Sequence, residues 1–138
     1  LSRGSPEQVV DGWRYFGYAP AEGQTDADMA RTHTEVFLNL LEGQGFAQPN
    51  PRPMFPNPPG LLRLEPYSAG LRDRIWWGAG SRETAEWTAR EGLNLMSSTL
   101  LTEATGATFG ELQAEQIDRF RSARRRSSRW PRSRKACG

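Results

Sequence analysis

Two hydroxyl residues three apart, Ser81 and Thr84, follow Gly78-Ala79-Gly80 and open a stretch of helix formers from Arg82 to Glu91. Small residues leading into a helix start aim unpaired backbone N–H groups at one place, with the positive end of the helix dipole behind them. That arrangement suits an anion, typically a phosphate. Gly80 and Arg82 would add backbone donors to the same nest. The competing use is plain capping, since Ser81 is also a good N-cap. The run is no dinucleotide fingerprint. Glu83 stands where the third glycine would be, and Ser98, twenty residues past Gly78, is not acidic.

A second candidate lies at Arg3-Gly4-Ser5. Ser5 as N-cap, Pro6 at the first helical position and Gln8 at the third read as a capping box. Arg3 beside that helix start could grip phosphate bidentately, the alternative being an ordinary surface arginine. Other chemistry is poorly supplied. Cys137 is the sole cysteine and His33 the sole histidine, which excludes an intramolecular disulfide and disfavours zinc sites and a histidine-based triad. No metal is expected. His33 falls on an apolar helical stripe and reads as a packed, hydrogen-bonded residue.

The elements that would carry these residues follow from pattern. Arg74-Ile75-Trp76-Trp77 suits a strand buried on both faces. With the glycine turn, helix 82–91, Gly92 as its stop and the apolar run Leu93–Met96, it predicts a βα unit leading into an adjacent parallel strand. Upstream, Val9, Val10, Trp13 and Phe16 give one helix an apolar side, ended by Gly17. Thr25 with Asp28 caps another, with Met29, His33, Val36, Phe37, Leu40 and Leu41 facing a core until Gly43. Residues 47–60 hold six prolines and form an extended excursion, with a short strand at Leu61–Leu64. Thr108 and Glu111 cap a last helix, with Phe109, Leu112, Ile117 and Phe120 on one face.

The net charge of +2 hides a split. Residues 121–138 hold eight Lys/Arg and no acid, whereas the first 120 hold ten Lys/Arg against sixteen Asp/Glu. The reading is an acidic domain over 1–120 and a basic tail over 121–138 that is disordered, out of frame or at most an extension of the preceding helix without a packed apolar face. Such a tail could bind nucleic acid or an acidic surface, but nucleic acid is not the expected partner. No apolar signal region or membrane-length run is found, no membrane partner is expected, and the single cysteine makes a reducing cytoplasm the expected compartment.

Two stretches together resemble one family. Arg3-Gly4-Ser5, followed by a helix and Phe16-Gly17, resembles the R-G loop of the bacterial luciferase-like flavin monooxygenases. Trp77-Gly78-Ala79-Gly80-Ser81-Arg82-Glu83-Thr84-Ala85 resembles the Ser-x-x-Thr turn of that family. The similarity covers about residues 2–120. It implies an α/β fold, part of a (β/α)8 barrel with parallel strands, here with a proline-rich loop and the basic tail. It also implies reduced FMN, or alternatively a deazaflavin, bound at the carboxyl ends of the strands. The phosphate would be held by Arg3, Ser5, Ser81 and Thr84, with Gly80 and Arg82 as further backbone donors. An organic substrate, O2 and a flavin reductase would be the partners, with self-association through open barrel edges.

The departures from the family pattern are specific. Ser2 stands where luciferases carry a reactive cysteine. The first three and last two strands have no counterpart, so the chain reads as an internal fragment or truncated member, and no catalytic residue is assigned. The alternative function is a non-catalytic interaction or vestigial protein.

Overall fold

A strand, a helix and a second strand occupy residues 76–97, and the two strands pair in parallel. They belong to a computed structural model that describes residues 14, 17–52, 54, 56, 59–98 and 107–129. The chain divides between Arg72 and Asp73 into two compact units. It is a mixed α/β protein.

In the second unit β1 (Trp76–Ala79) is followed by α2 (Arg82–Arg90), β2 (Asn94–Ser97) and α3 (Phe109–Arg129). Parallel strands need a crossover, and α2 supplies it. The register sets Trp76 opposite Asn94, Trp77 opposite Leu95, Gly78 opposite Met96 and Ala79 opposite Ser97. Side chains alternate across a strand, so Trp77, Ala79, Leu95 and Ser97 share the face that the helices cover. Trp77 and Ala79 are buried there, and the Trp77 ring meets Trp87 of α2 edge-on at 4.9 Å between centroids. Ala85, Thr88, Ala89, Leu93, Leu112, Gln116 and Ala123 complete this core.

The opposite face is open. Trp76 and Met96 are 57% and 56% exposed. The expectation of a strand buried on both faces from Arg74 is therefore corrected. Residues 72–74 form a single 3-10 turn, the strand begins at Trp76, and among the described residues only one helical layer covers it. Apolar character in the run marks two different surroundings rather than one.

The first unit contains α1 (Asp26–Leu41), begun by the expected capping box. The Thr25 hydroxyl accepts from Asp28 N–H at 3.2 Å, and the Asp28 carboxylate accepts from Thr25 N–H at 3.2 Å. Gly43 follows the helix at φ +85°, a conformation suited to glycine. The buried stripe differs from the predicted one. It runs through Met29, Leu38 and Leu41, whereas Val36 and Phe37 are exposed. His33 is also exposed, its ring tilted against Tyr18 at 4.5 Å, which corrects the packed-core expectation.

The proline-rich excursion is closed at its base by one antiparallel bridge between Ala47 and Leu62, not by a strand over Leu61–Leu64. Leu62 N–H donates to Ala47 C=O at 2.8 Å, and Phe46 N–H donates to Leu62 C=O at 2.9 Å. Gly45 makes that closure fit, since a Cβ there would lie 2.6 Å from Leu61 Cβ and 2.9 Å from its carbonyl oxygen.

The apolar pattern fades after Phe120, and the helix runs on to Arg129, with packing that the tail was not expected to have. Ala123 is buried, and the Arg124 guanidinium donates to Leu93 C=O at 2.7 Å. The basic stretch thus contributes packing over its first turns. The helix predicted over residues 5–16 lies almost wholly outside the described residues. Among the described residues no helix is long and apolar enough to cross a membrane.

Candidate functional site at the carboxyl end of strand β1

β1 ends at Ala79 and α2 begins at Arg82, so Gly80 and Ser81 form the whole connection. Ser81 adopts extended backbone angles, φ −137° and ψ 159°, as an N-cap does. Its hydroxyl accepts from Thr84 N–H at 3.2 Å and donates to Thr84 Oγ1 at 2.9 Å. Both side chains are half-buried. The structure therefore brings the two hydroxyls together on the first turn of α2, and their present contacts are those of a cap. Thr84 C=O in turn accepts from the buried Thr88 hydroxyl at 2.7 Å, which ties the first turn to the second.

Arg82 sends its guanidinium sideways to the Glu115 carboxylate of α3. Its side chain is thus committed to helix packing, and any part in an anion nest would be played by its backbone. Glu83 is an exposed acid in the same turn. It complements the helix dipole and would compete with a bound anion.

Behind the loop stands a polar bracket with no sequence-level assignment. Gln116 of α3 has no solvent exposure. Its Nε2 donates to Ala79 C=O at 3.1 Å, and its Oε1 accepts from Ser97 Oγ at 2.5 Å. Ala79 C=O also accepts from Ser98 N–H at 3.0 Å. One side chain therefore joins the carboxyl ends of both strands to α3. A buried amide must have its hydrogen bonds made, and here both ends of it are. The signal for it was in the sequence. Leu112, Gln116 and Ala123 share one helical stripe, and a glutamine in that row marks a polar contact in the core.

Of the other expected site residues, Arg3 and Ser5 lie outside the described residues, so the structure does not place them against Ser81. Among the described residues no three His, Cys, Asp or Glu side chains are grouped to hold a metal ion. No protein-family model, no curated protein and no solved structure matches this chain.

Proposed function

We propose that this chain carries the phosphate-binding part of a luciferase-like, flavin-dependent monooxygenase barrel. The observation that supports it is the parallel β1–α2–β2 unit with Ser81 and Thr84 hydroxyls 2.9 Å apart on the N-terminus of α2, at the carboxyl end of β1. Cofactor phosphates bind at that end of barrel strands. The open face bearing Trp76 and Met96 is what a strand pair shows when its inner, barrel-lining side lacks the remaining strands.

The residues present fit a phosphate. The Ser81 and Thr84 hydroxyls can turn from each other to phosphate oxygens, and the helix dipole favours the negative charge. Gln116 fixes the strand end from which this loop springs. Reduced FMN, or a deazaflavin, supplies the oxygen-activating chemistry when bound, and the protein binds and orients it. An organic substrate and a reductase complete the reaction.

The test is a fluorescence titration of the chain with FMN and with riboflavin, which lacks the phosphate. Tighter binding of FMN, reduced by Thr84→Val, is expected. Equal affinity for the two ligands would dispose of the phosphate site. The exposure of Trp76 and Met96 also favours a second reading, a non-catalytic protein that associates through this face. Self-association that rises with concentration while no flavin binds would decide for it.

A further inference from the structure

Past Asp118 the sequence of α3 holds no acid, and its arginines divide into two sets. Arg119 pairs with Glu86 of α2 at 3.3 Å, and Arg124 donates to Leu93 C=O at 2.7 Å. Those two serve the fold. Arg121, Arg125 and Arg126 are exposed like them, and Arg125 donates to Ser122 Oγ within the helix itself at 3.2 Å. The helix buries Leu112, Gln116 and Ala123. At about 100° per residue, positions 121 and 125 lie on the side opposite that stripe, about 6 Å apart along the axis, with Arg126 on the flank. The continuation of the helix to Arg129 thus converts a charge run into a face of fixed spacing.

We propose that this face, Arg121 to Arg126, binds the phosphate backbone of duplex nucleic acid without reading sequence. Three features select that partner. Residues 121–138 carry seven arginines to one lysine, and the guanidinium fork matches phosphate oxygens where an ammonium offers only a point charge. Serines at 122, 127 and 128 are interleaved with them, the hydroxyl type that accompanies arginine on phosphates. Residues 121–129 contain no aromatic or large aliphatic side chain, so the face has no anchor for a protein interface core and nothing to insert into a lipid surface.

The full chain is titrated against a labelled DNA duplex, the same sequence as an RNA duplex, and vesicles of anionic lipid, over a series of salt concentrations. The affinity for duplex should fall with salt at a log–log slope of about −3 or steeper, each neutralised phosphate contributing about −0.9. Arg121→Gln/Arg125→Gln should make the slope shallower by about 2 and weaken binding at least tenfold at low salt, with the thermal midpoint unchanged. Comparable binding of both duplexes, or a preference for one, agrees with the proposal and names the source of the phosphates. It is overturned by no binding to either duplex at low salt, or by binding of vesicles alone. It is equally overturned if the double variant leaves affinity and slope unchanged while Arg132→Gln/Arg134→Gln/Lys135→Gln abolishes binding.

Discussion

Ser81 places one oxygen between two duties, since the hydroxyl that caps α2 is also the one offered to a phosphate. The duties separate by substitution. Ser81→Ala removes the cap and should lower stability by about 1 kcal/mol without any ligand present. Thr84→Val leaves the backbone N–H that Ser81 caps and removes only a hydroxyl, so its cost should appear in FMN affinity more than in the thermal midpoint. Arg3→Ala is the sharper probe. Loss of a charge-assisted hydrogen bond is worth about 1.5–3 kcal/mol, or roughly ten- to a hundredfold in affinity. The expected result is weakened FMN binding with riboflavin unaffected. Equal losses for both would assign Arg3 to the fold. Gln116 shows the opposite case, a polar side chain with both ends satisfied inside the core.

At the scale of elements, two aromatic and glycine contacts fix the packing. Trp77→Ala removes one partner of the Trp77–Trp87 pair and should cost about 3–5 kcal/mol, read as a fall in unfolding midpoint. Gly45→Ala puts a methyl into Leu61 at the base of the proline-rich loop. Overpacking of this kind costs about 1–3 kcal/mol, and proteolysis within residues 47–60 should quicken. An unchanged cleavage rate would mean the bridge does not hold the loop. The capping boxes at Thr25 and Thr108, the N-cap at Ser81, the stop at Gly92 and the parallel strand pair were all legible, because each rests on local chemistry or on a short period. Face assignments were less so. On α1 the row of apolar residues through Val36 and Phe37 competes with one through Leu38, and tertiary contact chooses the latter. On α3 Gln116 replaces an apolar residue in the buried row, and the buried Ala123 with the Arg124 to Leu93 hydrogen bond packs the helix beyond the point where the apolar pattern fades. The half of the candidate site at Arg3 and Ser5 stays a matter of sequence.

Across the whole molecule, three exposed carboxylates share one electrostatic sign. Asp28 is held below the usual carboxylate range by the Thr25 hydroxyl first and then the Thr25 N–H, with Arg31 adding a smaller pull. Glu65 is lowered by the Arg63 side chain and then by Tyr67 N–H. Glu111 is lowered by Thr108 N–H and then by its hydroxyl. A group whose folded-state value is depressed contributes stability above its unfolded value, and that contribution is lost as pH falls through the folded value. Asp28 and Glu65 belong to the first unit and Glu111 to the second, so acidification should loosen both. The thermal midpoint should hold near neutrality and decline below about pH 4, the ordinary carboxylate range. Thr25→Val with Thr108→Val should flatten part of that decline, because Asp28 and Glu111 then lose their hydroxyl donors and keep the backbone N–H donors. A wild-type midpoint constant down to strong acid would count against these contacts.

The neighbouring indoles of Trp76 and Trp77 stand on opposite sides of one strand, one bathed in water and one sealed against Trp87. A single peptide step therefore separates a red-shifted, quencher-accessible emitter from a blue-shifted, protected one. The protein carries its own optical report on that sheet. Whatever comes to rest on the open face should change the first emission and leave the second alone, whereas loss of the core should change both. Trp76→Phe subtracts the Trp76 emission from that of the five indoles while keeping an aromatic ring on the surface, so the difference from the unsubstituted chain tells occupation of that face from unfolding without any added dye.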